Sequence, residues 1–160
     1  MAIKVGDKLP DVTFTTMTAE GPRPMTTADV FSGKTVALFA VPGAFTPTCS
    51  AKHVPGFVNN YDSLKAKGVD RIVCVSVNDV FVMSAWAKDQ KSGEKVLMLA
   101  DGNGDFARAL GLELDAKGFG MGTRSQRYSM IVENGVVKKL NVEEGGQYKV
   151  SSAEHMLGQL

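Results

Sequence analysis

The sequence predicts an α/β fold in which helices cover both faces of a mixed central sheet. Two continuous runs of apolar and β-branched residues, at 35–41 and 71–77, are typical of strands buried on both faces. Each run is followed by a segment whose apolar residues recur at helical spacing. Asn134-Gly135 between two further apolar runs indicates an antiparallel hairpin. Strand–helix units joined to a hairpin predict a sheet with both parallel and antiparallel pairs.

The first predicted strand, 35–41, ends at Pro42. From residue 47 to about residue 67, apolar residues at helical spacing predict a long helix. Pro55-Gly56 lies inside this segment, and proline removes one hydrogen bond of the helical ladder. We therefore expect the helix to be kinked at this point.

The second strand, 71–77, leads into another helix, for which Asn78 is the expected N-cap. A third strand is predicted at 96–99. The turn after it precedes a short helix at 105–110. These elements continue the alternation of strand and helix that favours a parallel central sheet.

The last part of the chain contains the hairpin and a final helix. The hairpin strands are predicted at 127–133 and 136–142. Ser151 with Glu154 three residues later forms a capping box, which predicts the start of a terminal helix. This order of elements is that of a thioredoxin-like three-layer sandwich with an N-terminal extension. No repeat or linker divides the sequence, so residues 1–160 are expected to form a single domain.

Composition excludes several classes of function. Hydrophobic residues make up 44% of the 160 residues and charged residues 22%, which is typical of a globular protein rather than a disordered one. The 18 Lys and Arg residues nearly balance the 17 Asp and Glu residues, so the charge does not indicate a nucleic acid or a membrane as partner. Two cysteines are too few for a disulfide scaffold or a four-thiolate zinc site.

Two features bear on cellular location. Polar residues occur within the first seven positions, too early for a secretory signal. The longest apolar run, 36–42, is far shorter than the roughly 20 residues that a membrane helix needs. A cytoplasmic location is therefore expected, and a mature organellar form is compatible with the same sequence.

Cys49 lies at the junction between the first buried strand and the long helix. Thr46 is the expected N-cap, with its hydroxyl accepting from the N–H of Thr48 or Cys49, and Pro47 is the expected first helical residue. Cys49 then lies in the first turn, where unpaired N–H groups and the helix dipole favour a thiolate. The position of Cys49, taken alone, is equally compatible with a buried cysteine that has only a structural role. Thr46 stands where a thioredoxin-like exchanger has its second cysteine, which excludes dithiol exchange within this motif.

Residues 42–49, PGAFTPTC, resemble the active-site signature of peroxiredoxins. HVPGF at 53–57 is similar to the type-five, plant type-II branch of that family. Further matches to this branch are VGDKLPDVTF at 5–14, VSVND at 75–79, RYSMIVENG at 127–135 and LNVE at 140–143. The resemblance covers nearly the whole chain.

The resemblance implies that Cys49 is the peroxidatic cysteine, whose thiolate attacks a peroxide and becomes a sulfenic acid. It implies that Thr46 hydrogen-bonds the thiolate and the peroxide and that Pro42 shields the pocket. Backbone N–H groups around Gly43 and Cys49 would complete it. Arg127 would supply a positive charge beside the thiolate, because it precedes YSM as the active-site arginine of the family does. A guanidinium can hold a thiolate and a peroxide oxygen together.

Three other side chains have alternative interpretations. Arg124 is the rival to Arg127, and its structural role would be a loop salt bridge. His53, one helical turn beyond Cys49, faces either the same pocket or a helix or dimer surface. His155 is expected at the surface.

Cys74 lies inside a predicted strand, where a buried structural thiol is one interpretation. Its separation from Cys49 resembles the cysteine pair of plant type-II members, in which case it could resolve the sulfenic acid. Animal type-five members place a resolving cysteine near the C-terminus, and residues 148–152 contain none. The resemblance thus excludes the animal type of intramolecular disulfide.

The resemblance implies reduction of hydrogen peroxide, small alkyl hydroperoxides and peroxynitrite without metal, haem or flavin. It implies recycling by glutathione with glutaredoxin, with a thioredoxin-dependent two-cysteine cycle through Cys74 as the alternative, and a homodimer. Two other classes stay open: a non-catalytic thiol switch or holdase, and a cysteine hydrolase that uses Cys49 with His53 or His155. A hydrolase needs a histidine base oriented by a third group, which a Cys-His pair on one helix supplies poorly.

Overall fold

The computed structural model describes residues 2–145 and 147–160. The strands are β1 (Thr13–Thr18), β2 (Gly21–Thr26), β3 (Thr35–Val41), β4 (Arg71–Ser76), β5 (Leu97–Ala100), β6 (Glu113–Asp115), β7 (Thr123–Ser125), β8 (Tyr128–Glu133) and β9 (Val136–Val142). The α-helices are α1 (Thr27–Phe31), α2 (Val54–Asn59), α3 (Tyr61–Ala66), α4 (Val80–Asp89), α5 (Asp105–Leu110) and α6 (Ala153–Leu157). A π-helical turn spans Cys49–His53, and a 3-10 turn spans Lys117–Phe119.

Seven strands form one sheet in the order β2-β1-β5-β4-β3-β8-β9, and β6 pairs with β7 separately. The central strands β3, β4 and β5 are parallel, whereas the pairs β3–β8, β8–β9, β1–β5 and β1–β2 are antiparallel. The predicted thioredoxin-like sandwich with a mixed sheet is confirmed. The predicted domain 1–160 includes Met1 and Gly146, which lie outside the described residues.

Alternate residues of the central strands pack into separate cores on the two faces of the sheet. Ile72 and Cys74 of β4 face the core under α2, α3, α4 and α6, which also holds Cys49. Val73 and Val75 face the core under α1 and α5. β3 alternates between the two cores in the same way, so both β3 and β4 are apolar without interruption.

The N-terminal extension forms a hairpin, β1–β2, followed by α1, which the sequence pattern did not resolve. Two prolines in β2 obscure the strand pattern, and an edge strand tolerates them because one side of its ladder has no partner. The predicted hairpin between β8 and β9 is confirmed. Asn134 and Gly135 adopt φ angles of 48° and 79°, as its tight turn requires.

The predicted long helix is divided into three pieces. The interruption expected at Pro55 is present as the π-helical turn just before it, in which the Val54 N–H bonds the Cys49 carbonyl five residues back. Pro55 itself has no N–H to continue regular i to i−4 bonding. A second break, at Asn60, was not predicted, and its side-chain amide donates to the Gly56 carbonyl at 2.8 Å.

Two predicted caps are wrong. Asp79, not Asn78, caps α4, and its carboxylate accepts from the Val82 N–H at 2.8 Å. Ser152, not Ser151, caps α6. In both cases the side chain of the predicted residue bonds a tertiary partner instead of the helix end: Asn78 accepts from the Ala44 N–H, and the Ser151 hydroxyl donates to Glu143.

Candidate active site

Cys49 begins the π-helical turn that follows the carboxyl end of β3, and its side chain is fully buried. Its sulfur accepts a hydrogen bond from Arg127 Nη2 at 3.0 Å. Arg127 directly precedes β8, the antiparallel neighbour of β3, so the sheet places this guanidinium beside the first turn after β3. The structure thus brings together two residues that the sequence separates by 78 positions.

The guanidinium of Arg127 also fixes the protonation of His53. Arg127 Nη1 lies 2.8 Å from His53 Nδ1, and His53 Nε2 lies 2.9 Å from the Ser151 carbonyl oxygen. A guanidinium only donates and a carbonyl only accepts, so Nδ1 must carry the lone pair and Nε2 the proton. His53 is therefore neutral, and both its ring nitrogens are engaged.

Burial lowers the pKa of His53 to about 3, and the charge of Arg127 adds to this effect, while the bond to Ser151 opposes it. The ring is fully buried and packs against Phe39 and Tyr148. The surface position considered for His53 is wrong. With both nitrogens engaged it cannot serve as a base for Cys49, and His155 lies exposed on α6, so neither histidine suits a hydrolase.

Thr46 closes the turn that leads into Cys49. Its carbonyl accepts from the Ser50 N–H at 3.0 Å, as the residue before a helix does, but its hydroxyl donates to the Gly43 carbonyl at 2.6 Å. The expected hydrogen bonds, in which this hydroxyl accepts from the N–H of Thr48 or Cys49, are absent among the described residues. The turn brings Phe45 to a φ of 64°, an uncommon conformation for a bulky residue, and the Thr46–Gly43 bond helps to hold it.

Gly43 is buried where three side chains converge. A Cβ atom there would lie 3.2 Å from Met121 Cε, 3.2 Å from Thr46 Cγ2 and 3.3 Å from Arg124 Nη1. These separations are tight, so glycine is needed for close approach. Pro42 is half-buried beside it.

Arg124 lies beside the loop and does not contact Cys49 through any hydrogen bond of the described residues. Its Nε donates to the Met121 carbonyl at 2.8 Å and its Nη1 to the Val77 carbonyl at 3.1 Å. The salt bridge considered for Arg124 is not formed among the residues that the structure describes. Arg124 therefore ties two loops together through carbonyl groups.

Asn78 holds the loop that precedes Cys49, a role that the sequence analysis missed. Its Oδ1 accepts from the Ala44 N–H at 3.0 Å and from the Ser76 hydroxyl at 2.6 Å. Because β3 and β4 are parallel, the residues that follow them meet at one sheet edge. A polar residue directly after the second strand was thus a signal for this contact.

Cys74 is fully buried in the interior of β4, opposite Phe39 of β3 and Met98 of β5. Burial raises the pKa of its thiol well above the ordinary value, the nearby Cys49 adds to this, and Arg127 lowers it only in part. Both cysteines are free thiols. Cys74 thus has the surroundings of a neutral core thiol.

Other kinds of site find little support. Among residues 2–145 and 147–160, no three His, Cys, Asp or Glu side chains are grouped so that they could hold a metal ion. Within the same residues, each helix is too short or too polar to cross a membrane. The Cys49–Arg127–His53 cluster is therefore the strongest candidate for chemistry in the described part of the chain.

Comparison with known proteins finds relatives in sequence and in structure. The redoxin family profile matches residues 4–157. Peroxiredoxin-2E, a chloroplastic protein of Arabidopsis thaliana, is 52% identical over 160 residues, which span 98% of this chain and 68% of that protein. Peroxiredoxin-2C of Oryza sativa subsp. japonica is 50% identical, over 97% of this chain and 96% of that protein. The solved structure of reduced Prx3 in complex with H2O2 from Vibrio vulnificus is 54% identical, has a TM-score of 0.94 and covers 98% of both chains.

The pKa of His53 makes stability depend on pH. In the unfolded chain the imidazole takes up a proton near pH 6.5, but in the folded protein only near pH 3, so the unfolded state binds more protons between these values. The free energy of unfolding should therefore fall by about 2 kcal/mol between pH 7 and pH 5. Urea unfolding at both pH values measures this loss.

The matched variants are His53→Gln and His155→Gln. The first should flatten the pH dependence over this range, whereas the second, at an exposed position, should keep it. An unchanged pH dependence in His53→Gln would show that the buried imidazole is not its source.

Proposed function

Since the chain belongs to the redoxin family, and within it to the peroxiredoxins of the plant type-II branch, it is a thiol peroxidase, and we propose that Cys49 is its reacting residue. The observation that carries this proposal is the 3.0 Å contact between Arg127 Nη2 and the Cys49 sulfur. A cation against a buried sulfur stabilises the thiolate, which is the nucleophilic form.

The proposed reaction is a displacement at oxygen. A lone pair of the Cys49 thiolate attacks the terminal peroxide oxygen, the S–O bond forms and the O–O bond breaks. With a hydroperoxide the departing oxygen takes a proton from solvent and leaves as water or an alcohol, with peroxynitrite it leaves as nitrite, and Cys49 remains as a sulfenic acid. Arg127 can donate to the oxygen on which negative charge develops, while His53 holds the other guanidinium nitrogen.

We assign the pocket around the peroxide to Thr46, Gly43 and Pro42. The Thr46 hydroxyl gives its proton to the Gly43 carbonyl, so its lone pairs are free to accept from a peroxide O–H. Pro42 is half-buried and would limit the water that reaches Cys49. A fully buried sulfur favours small substrates, and we propose hydrogen peroxide, small alkyl hydroperoxides and peroxynitrite.

An external thiol is our proposal for the reductant. A thiol such as glutathione would attack the sulfenic acid, form a mixed disulfide and release water, and glutaredoxin would then reduce that disulfide. Cys74 lies in a strand interior, and a bridge to Cys49 requires Cα atoms within about 7 Å together with movement of the first helical turn. The burial of Cys74 supports the external route over the thioredoxin-dependent one.

The proposed partners also include a second copy of this chain. Phe45, Phe81 and Phe119 are 51%, 66% and 86% exposed, and apolar side chains of this size favour burial against another protein. Phe45 belongs to the turn before Cys49, so a homodimer would form near the site.

The cytoplasmic location stays a prediction, with a mature organellar form as the alternative. The Peroxiredoxin-2E of Arabidopsis thaliana, to which the chain is similar, is a chloroplastic protein.

Replacing Cys49 by serine should abolish peroxidase turnover. Serine has nearly the same shape, but its hydroxyl stays protonated near pH 7, so turnover should fall about a thousandfold or more. Peroxide consumption by the reduced variant measures this, with circular dichroism as the control for folding. A folded Cys49→Ser protein that kept a substantial fraction of the wild-type rate would exclude Cys49 as the nucleophile.

Replacing Arg127 by glutamine should lower the rate constant for hydrogen peroxide by roughly a hundred- to a thousandfold, because the donor at the departing oxygen is lost. Arg124→Gln is the matched control, since it removes the same charge beside the same loop. It loses only bonds to two carbonyl groups and should reduce the rate by less than about tenfold. Stopped-flow measurement on both variants tests the assignment, and a larger effect at Arg124 would reverse it.

Cys74→Ser should retain most of the turnover with glutathione and glutaredoxin, because the external route does not use the second thiol. After one equivalent of peroxide in the presence of glutathione, mass spectrometry should find a glutathione adduct on Cys49. Complete conversion to a Cys49–Cys74 disulfide, with loss of turnover in Cys74→Ser, would instead establish the two-cysteine cycle.

A further inference from the structure

The carboxylate of Glu143 accepts hydrogen bonds from the loop whose Ser151 carbonyl contacts His53. Glu143 directly follows β9 and is 7% exposed. Its Oε2 accepts from the N–H groups of Lys149, Val150 and Ser151 at 2.7, 2.9 and 2.8 Å, and from the Ser151 hydroxyl at 2.7 Å. Three successive N–H groups on one anionic oxygen fix the conformation of this loop.

The backbone of Glu143 is tied to the other side of the site. Its N–H donates to the Arg127 carbonyl at 2.9 Å, next to the last pair of the β8–β9 ladder, Tyr128 and Val142. One residue therefore connects the strand end that carries Arg127 with the loop that carries Ser151.

Glu143 holds this loop most strongly as an anion. Burial works to raise the pKa of its carboxyl group, but the hydrogen bonds from Ser151, Lys149 and Val150 outweigh burial and hold the pKa below its ordinary value. Charge-assisted bonds of this kind are roughly twice as strong as neutral ones. The loop is thus held by an acceptor that stays ionised at neutral pH.

The loop in turn orients the arginine. The Ser151 carbonyl accepts from His53 Nε2, which leaves the His53 Nδ1 lone pair directed at Arg127 Nη1, and Arg127 Nη2 contacts the Cys49 sulfur. Each contact in this series lies between 2.8 and 3.0 Å.

We propose that Glu143 is a positioning residue that sets the guanidinium of Arg127 against Cys49 through Ser151 and His53. The proposal rests on the proposed function, because it assumes that Arg127 acts on the peroxide. Glu143 touches neither sulfur nor substrate in this scheme. Its loss would let the loop move, and a displacement of about 1 Å at a catalytic group can reduce a rate about a hundredfold.

The test compares two reactions of the same thiolate. Stopped-flow rate constants are measured with hydrogen peroxide and with iodoacetamide, which alkylates Cys49 without an O–O bond to polarise. Both reactions consume the thiolate, so the ratio of the rate constants cancels the ionised fraction of Cys49. Cys74→Ser serves as the background, so that alkylation reports on Cys49 alone.

Glu143→Ala should lower the peroxide-to-iodoacetamide ratio by roughly ten- to a hundredfold. Glu143→Gln, which keeps an acceptor of the same length, should restore part of the loss, and it carries the comparison if the alanine variant does not fold. Glu144→Ala removes the same charge from the exposed neighbouring residue and should leave the ratio unchanged.

A double-mutant cycle with Arg127→Gln separates this proposal from the proposed function. If Glu143 acts through Arg127, then adding Glu143→Ala to Arg127→Gln should change the ratio by no more than about twofold. An equal loss in both backgrounds, or no loss in the single variant, would overturn the role of Glu143. A wild-type ratio in Arg127→Gln would overturn the role of Arg127 itself.

Discussion

The contact between the Arg127 guanidinium and the Cys49 sulfur is the interaction on which the geometry of the site depends. A guanidinium stays charged and can only donate, so each group that meets it must accept. Cys49 meets this demand through its sulfur and His53 through Nδ1. The remaining proton of His53 then needs an acceptor, which the Ser151 carbonyl supplies. One fixed cation thus determines the tautomer of His53 and orients the groups around it.

The sheet explains how this contact arises. β3 lies between the parallel strand β4 and the antiparallel strand β8, and Ala40 near the end of β3 is paired with Tyr128 at the start of β8. The helical turn after β3 and the residue before β8 therefore meet at one edge. The parallel partner β4 ends at the same edge and brings Asn78 to the loop before Cys49. Strand direction thus brings three segments that are distant in sequence to one edge, where Asn78 and Arg127 bond the segment that contains Cys49.

The elements with local signals could be predicted from the sequence. Apolar runs located β3 and β4, Asn134-Gly135 located the hairpin, and the pattern from 42 to 49 singled out Cys49. The two wrong helix caps share a physical cause, because a short polar side chain can bond either a helix end or a tertiary partner. The sequence predicts Asn78 and Ser151 as helix caps, yet each bonds a tertiary partner instead. The sequence shows that such a residue can accept or donate, but the tertiary fold decides to which group.

The most direct test is to identify the residue that hydrogen peroxide oxidises in one turnover of the wild-type protein. The reduced protein is mixed with one equivalent of hydrogen peroxide, quenched rapidly with a reagent that traps sulfenic acids, and digested for mass spectrometry. If Cys49 is the reacting residue, one molecule of the trapping reagent is expected on the peptide that contains Cys49, with Cys74 and the methionines unmodified. Oxidation of Cys74 or of a methionine, with Cys49 still a free thiol, would contradict the assignment of Cys49 as the reacting residue.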